Sequence, residues 1–518
     1  MSNLRVSHKL KTIVMPYDPR VVATIPHAKK LTRHGNVYTL VPHRATEVKL
    51  LTNLGYEPPS PILTQYDWCN TIPYEHQKIT SAMLAIEPRA YVLNGLGSGK
   101  TRSAAFAADF LIRQGDVSRV LVIAPLSTLS GTWEHELFQI MPHHKVEVLY
   151  GTKAKRLEAL ARDASFYIIN TDGVSVILDA LLARPDIDLI IIDELACYRN
   201  SRTKRWKALK KLVNTKHWCW GMTGLPTPNG PTDAYGQAKM LTPKRVPQSF
   251  RAFQGKVEYQ ITQFKWLPKP EANDVVSKAM QPSVRFATDD CIDLPPTTYS
   301  TRTTELAAEQ KKAYKQLFDH FYTEYKGQEI NASNAGVKMS KLLQVAAGFG
   351  YTDGGVVDFP DNHKIQVVKD IIEETEQKIL ILAPFIRTVD TLYDELKCNF
   401  YPVKKVYGGT TKKERDAIFS AFRNEVDPRI IVAHPAVLSH GLTLVEANVI
   451  VWFSPTTSYE TFEQANARIV RPGQKHHTHI ISIESCPVEA HIFKRLASKQ
   501  KVSTALLDIF ADMTKGEQ

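Results

Sequence analysis

The sequence predicts an α/β protein with two parallel-sheet lobes and a small α+β module in front of them. Three observations carry this prediction. An apolar strand at Tyr91-Val92-Leu93 runs into a glycine-rich turn that opens a helix. Strand-length apolar runs then alternate with amphipathic stretches in two separate series, the pattern of parallel layers covered by helices. The first 70 residues break that alternation. At 518 residues the chain exceeds what one core serves, so two or three domains are expected.

Taken in order, residues 1–70 hold the apolar run Val21–Pro26, a turn at His34-Gly35-Asn36, the alternating Val37–Pro42 and a helical Ala45–Leu54. This module is basic, with His27, Lys29, Lys30, Arg33, His34, His43, Arg44 and Lys49. Residues 71–240 form the first lobe, with strands at Val120–Ala124, Phe166–Asn170, Leu189–Asp193 and Trp218–Met222 after the glycine-rich turn. Residues 241–298 carry seven prolines, aromatics and little periodicity, which marks an insertion plus linker. The second lobe, 299–485, has strands at Ile379–Ala383, Lys405–Tyr407, Ile430–Ala433, Val449–Phe453 and His479–Ile483, and 486–518 is read as a bracing helix.

The turn Asn94-Gly95-Leu96-Gly97-Ser98-Gly99-Lys100-Thr101 has the chemistry of a phosphate cradle. Gly95, Gly97, Ser98 and Gly99 let backbone N–H groups turn toward a polyphosphate, Lys100 supplies a cation for its outer oxygens, and the Thr101 hydroxyl can sit on Mg²⁺. The following helix points its positive end at the same anion. Asn94 stands where the pattern has its first glycine. The buried run Leu189–Ile192 ends in Asp193-Glu194, where the first carboxylate can hold Mg²⁺ and the second can orient or activate water.

Composition narrows the partners. Sixty-five Lys and Arg against 53 Asp and Glu leave a formal charge of +12, which suits a polyanion. Basic residues crowd two segments, Arg199 to Lys211 and Lys404 to Arg415. No apolar run is long enough to cross a bilayer and the N-terminus lacks a signal-peptide core, so a cytoplasmic protein with no membrane partner is expected. Six scattered cysteines without a Cys-x-x-Cys pair indicate neither zinc nor disulfides. His476-His477-x-His479 reads as a solvated or phosphate-facing loop rather than a metal site.

On these residues the chain resembles the two-lobed superfamily-two helicase motors, and among them the Swi/Snf-type double-stranded DNA translocases. Tyr74-Glu75-His76-Gln77 is similar to the glutamine motif that reads adenine, and Val120–Pro125 through Trp133-Glu134-His135-Glu136-Leu137 to motif Ia. Ile168–Asp172 resembles motif Ib, and Asp193-Glu194-Leu195-Ala196 stands at the Asp-Glu-Ala-His position. Met222–Asn229 resembles motif III, Ile379–Asp390 motif IV, Ser439–Leu444 motif V with Gly441, and Gln464–Gln474 motif VI, whose spacing predicts Arg468 and Arg471 on one helix face. Ala196 replaces the usual histidine and Leu225 a common threonine or serine.

The resemblance implies two RecA-like lobes of the P-loop NTPase kind. It implies ATP and Mg²⁺ as cofactors, Gln77 on the nucleotide, Lys100, Asp193 and Glu194 in hydrolysis, and Arg468 and Arg471 on the γ-phosphate. DNA in duplex, forked or branched form is the implied partner, with annealing, fork regression or branch migration as the work done. A strand-separating helicase and a DNA-binding scaffold with a vestigial ATPase are the alternatives. Tyr17-Asp18-Pro19 with Val22–Pro26 and Val37–Pro42 resembles the HARP-type recognition module of annealing helicases. The compact build resembles phage-encoded members.

Overall fold

The computed structural model describes residues 4–68, 72–262, 265–287, 294–320, 322–325, 328–331, 335–352, 355–438 and 443–498. Gly441 and the C-terminal run past residue 498 lie outside them. The chain divides into two compact units, Met1–Ile292 and Asp293–Gln518.

The first unit begins with an antiparallel sheet in the order Arg5–Ser7, Thr12–Pro16, Asn36–Pro42, Lys29–Arg33. Helices Pro19–Thr24 and Ala45–Asn53 supply Val21, Val48 and Leu51 to a small core with Ile13, Met15 and Val41. The apolar run Val21–Pro26 is mostly helical, within Pro19–Thr24. The reason is local: the Asp18 carboxylate accepts the Arg20 N–H at 2.8 Å as an N-cap, and Pro19 supplies a preset φ at the first helical position.

The main sheet of this unit has seven parallel strands in the order Ser283–Val284, Arg89–Val92, Trp218–Met222, Ile187–Asp193, Arg119–Ala124, Phe166–Asn170, Val146–Leu149. Its central strands are buried on both faces, which is why they read as unbroken apolar runs and not as alternation. Parts of the segment after residue 241 pack onto this lobe. Helices Phe250–Val257 and Ala272–Ala279 bury Phe253, Val257, Ala272 and Ala279 in its core, and Ser283–Val284 extends the sheet beside Arg89–Val92.

The second unit holds a six-stranded parallel sheet ordered Thr297–Thr303, Thr478–Glu484, Ala447–Trp452, Lys378–Leu382, Ile430–Ala433, Val403–Val406. Separate apolar clusters fill its two faces. The edge strand Thr297–Thr303 escapes sequence detection because its residues are polar and mostly exposed. A helix, Ala308–His320, and a hairpin of Tyr322–Tyr325 with Gln328–Asn331 come next in the chain.

Candidate functional site

Parallel sheets gather loops at the carboxyl ends of their strands, and the strand order decides which loops meet. Here Trp218–Met222 lies between Arg89–Val92 and Ile187–Asp193, with Met222 paired to both Val92 and Asp193. The phosphate loop, Thr223 and the Asp193-Glu194 pair therefore leave the sheet at one level.

The loop runs from Leu93 to Gly99 and the helix Lys100–Gln114 follows. Gly97 and Gly99 take φ of 77° and 76°, a left-handed conformation that glycine adopts without penalty. A Cβ on Gly99 would also collide with the Gln77 amide. The Lys100 ammonium donates to the carbonyls of Asn94 and Gly95 at 3.1 and 3.0 Å, so the cation sits over the loop. The Ser98 hydroxyl is buried and makes no hydrogen bond among the described residues. A donor of this kind beneath a left-handed glycine turn and a lysine suits an anion with several oxygens.

Asp193 accepts the indole Nε1–H of Trp133 at 2.9 Å and the Glu194 N–H at 3.1 Å. Desolvation at the sheet end pushes its carboxyl up, while Trp133 and the charge of Lys100 pull it down. A divalent cation fits such a carboxylate, because added positive charge offsets the cost of ionising it. Trp133 is fully buried on a π-helical turn, Leu129–Glu134, a local widening that is frequent at functional sites. Glu194 holds φ of 54° and ψ of 56°, costly for a residue with a side chain and typical of strained positions beside active groups. Gly224 packs on the loop so closely that a Cβ would meet Leu96 Cδ2 at 2.7 Å.

Gln77 is committed at both ends of its amide. Its Oε1 accepts the Tyr74 N–H at 3.2 Å and its Nε2 donates to Ser98 O at 3.1 Å. In this structure it steadies the loop. His76 does the same from the preceding position, with Nε2 2.8 Å from Ser98 O.

In the second unit, Arg468 and Arg471 do not share a helix face, contrary to the spacing argument. The helix Tyr459–Asn466 ends before both. They lie on a turn pinned by Trp452 Nε1–H to Asn466 Oδ1 at 3.0 Å and by Gln474, whose Nε2 donates to Ala447 O at 2.8 Å. Gln474 Oε1 accepts the Lys475 and His476 N–H groups. Backbone turn bonds such as Arg468 N–H to Ala465 O at 3.1 Å and Val470 N–H to Asn466 O at 3.1 Å continue through the segment. Arg468 is 8% exposed and donates Nε–H to Gln464 O at 2.9 Å; Arg471 is half-buried.

Sequence reasoning missed Trp133, His76 and Gly224 as parts of the site. All three stand inside motifs already singled out, but only contacts reveal their targets. It also missed the cluster of Asp109, His143 and His144. The buried Asp109 carboxylate takes hydrogen bonds from Tyr66, His143, His144 and Arg113, so its acceptor capacity is met and a guanidinium holds the place a cation would take. His477 and His479 stack at 4.6 Å, and His477 pairs with Thr298, as befits neighbouring strands.

This fold and loop define a two-lobed P-loop ATPase of the helicase type. Residues 26–348 match the SNF2-related domain and residues 363–473 the helicase conserved C-terminal domain. The chain belongs to the SNF2-related family. A putative protein p41 of Acyrthosiphon pisum secondary endosymbiont phage 1 is 27% identical over 84% of this chain and 97% of its own length. An uncharacterized ATP-dependent helicase of Mycoplasma genitalium is 24% identical over 73% of this chain and 36% of its own. The DNA repair and recombination protein RAD54B of Gallus gallus is 22% identical over 81% of this chain and 52% of its own. The chain thus spans nearly all of the phage relative but only about a third and a half of the other two. Among the described residues no helix is long and apolar enough to cross a membrane.

Proposed function

We propose that this protein is an ATP-driven motor that translocates on double-stranded DNA and remodels duplex, forked or branched structures during replication, recombination or repair. The observation that carries the reading is the meeting, at one sheet end, of a left-handed glycine loop, the Lys100 cation and the Trp133-held Asp193. Lys100 and the loop N–H groups would hold the phosphates of ATP. Thr101 and Asp193 would hold Mg²⁺, which when bound neutralises charge on the phosphate oxygens. Glu194, turned out of the strand by its left-handed backbone, would orient the attacking water. Arg468 and Arg471 would add positive charge as the γ-phosphate leaves, a contribution worth about 10³ to 10⁵ in rate for such arginines.

Two features support DNA as the polyanion. The helix Lys204–Asn214 buries Trp206, Leu209, Leu212 and Val213 and leaves Lys204, Lys207 and Lys211 exposed. The edge strand Lys29–Arg33 is exposed throughout, and its Lys30 stands over the Tyr17 ring at 5.1 Å, where Tyr17 lines a cleft of about 410 Å³ with Asp18, Arg20 and Tyr56. Cations on an open edge contact phosphates and carry no base code, so they suit a module that recognises shape at a fork. Cellular location would be the cytoplasm, the host's if the source is viral.

The test is ATP turnover with no DNA, single-stranded, blunt duplex and forked DNA, using the full chain and a chain lacking residues 1–70. Stimulation by blunt duplex is expected, with fork preference lost on truncation. Lys100→Ala with undiminished turnover would overturn the site. A strict requirement for a single-stranded tail would favour a strand-separating helicase instead.

A further inference from the structure

Asn94 occupies the position where a phosphate loop ordinarily carries its first glycine, and its side chain is wholly buried. It spans two elements. Nδ2 donates to Thr80 Oγ1 at 2.9 Å on the helix Glu75–Leu84, and Oδ1 accepts the Phe286 N–H at 3.1 Å. The Thr80 hydroxyl itself donates to His76 O at 2.7 Å, which turns a lone pair toward Asn94. Position 94 is not among the residues with positive φ, so nothing in the backbone demands glycine there.

The chain that Asn94 grips is not a neighbour in sequence. Residues 282–286 run alongside the strand that enters the loop: the Tyr91 N–H donates to Pro282 O at 3.0 Å, Leu93 N–H to Val284 O at 2.8 Å and Gly95 N–H to Phe286 O at 2.9 Å. The Phe286 ring lies against His76 with centroids 5.9 Å apart, and His76 reaches Ser98 O. Phe286 therefore touches the start of the phosphate loop through its backbone and the end of the loop through His76. Shortly after Phe286 the chain enters the second unit at Asp293.

We propose that Asn94 is a positioning residue for nucleotide turnover, fastening the phosphate loop to a strap, Pro282–Phe286, so that the path of the chain leading to the second unit sets the shape of the loop. The inference rests on the reading of the Lys100 loop as the ATP site. Glycine at 94 would leave the loop equally able to turn and remove both side-chain bonds. The strap would then be held by the backbone ladder and the Phe286–His76 contact, and strain in the outgoing chain would reach the phosphates less faithfully.

The experiment uses the full chain with Asn94→Ala, Phe286→Pro, the double variant, and Phe286→Leu as a control for the ring. ATP turnover is read with and without saturating duplex DNA, together with KM for ATP and hydrogen exchange at the Leu93 and Gly95 amides. Asn94→Ala is expected to raise KM and to lower duplex-stimulated kcat by about tenfold, with exchange at Gly95 faster by a similar factor and the global melting temperature little changed. Phe286→Pro, lacking the N–H donor, should show the same direction of change beyond that of Phe286→Leu, and the loss in the double variant should be smaller than the product of the two single losses, because the Asn94–Phe286 hydrogen bond is absent from all three. The proposal is overturned if Asn94→Ala leaves KM, stimulation and exchange within about twofold of the parent, or if the losses multiply in the double variant. Should Asn94→Ala fail to fold, Asn94→Asp keeps the acceptor for Phe286: retained protection at Gly95 supports the strap and its loss refutes it. Exchange does not depend on catalysis, so failure of the ATP-site reading, seen as wild-type turnover in Lys100→Ala, remains distinct from failure of the strap.

Discussion

Replacing Trp133 by Phe removes one donor from Asp193 and leaves a ring in place. The indole Nε1–H lies 2.9 Å from Asp193 Oδ2, on a residue with no exposed surface, so water cannot readily substitute. A hydrogen bond to a carboxylate contributes about 1.5–3 kcal/mol, and about 1.4 kcal/mol corresponds to one pKa unit. Burial already pushes this carboxyl up, and Trp133 is the chief group opposing that push. Its loss should therefore push the Asp193 carboxyl further up, by the free energy of that bond. If ionised Asp193 holds the metal, the acid limb of the pH profile of kcat/KM for ATP moves to higher pH, while the alkaline plateau is kept. The folding linkage has the same sign. A folded pKa above the unfolded one means that the native state binds more protons in the interval between them, so stability declines as pH rises through it, and the decline steepens in the variant. The assay is ATP turnover from about pH 5 to 9 with duplex DNA, and a thermal melt for integrity. An acid limb that stays in place or moves to lower pH would refute the argument.

Four further outcomes are expected. Lys364 and Glu489, 2.6 Å apart with side chains 1% and 0% exposed, form a buried pair, and Glu489 also accepts from the Ser485 backbone. Glu489→Gln should cost about 3–5 kcal/mol in urea unfolding by stranding the lysine, whereas Lys364→Met with Glu489→Leu should be close to neutral. Phe400 holds φ of 61° just past the helix Ile386–Cys398 with its side chain 95% exposed, so Phe400→Gly should stabilise by about 1 kcal/mol and raise the melting temperature. Burial alone would raise the Asp109 carboxyl, but hydrogen bonds from His144, Tyr66, Arg113 and His143 hold it well below the ordinary range. Its contribution is present above the unfolded pKa and lost as pH falls toward the folded one, so Asp109→Asn should flatten acid unfolding in melts taken below about pH 4. Changing Lys29, Lys30 and Arg33 together to Gln should weaken binding to forked DNA and reduce the slope of log K against log salt by up to about three, since each lost phosphate contact removes about 0.9.

How much could be read in advance follows from the physics of each element. Strands buried on both faces, such as Arg119–Ala124 and Ile430–Ala433, announce themselves as apolar runs, and the phosphate loop through glycines whose spacing the backbone requires. Edge elements do not. Thr297–Thr303 is polar because residues on both of its faces meet water, and Ser283–Val284 is too short to stand out, although it carries the chain beside the phosphate loop. The arginines of the last motif were visible by spacing, yet the helix meant to carry them stops at Asn466, because the Asn466 and Gln474 amides bond to groups far away in sequence.

By itself the sequence determined the alternating architecture, the phosphate loop and the acidic strand end, all encoded by local pattern and backbone stereochemistry. Tertiary structure alone decided that Trp133 would hold Asp193, that Gln77 and His76 would brace Ser98, and that Asn94 would reach Phe286. These are contacts between segments tens to nearly two hundred residues apart. No local rule sets them; they exist because burying both faces of a parallel sheet brings the ends of separate strands to one edge, where polar groups leaving water must find each other.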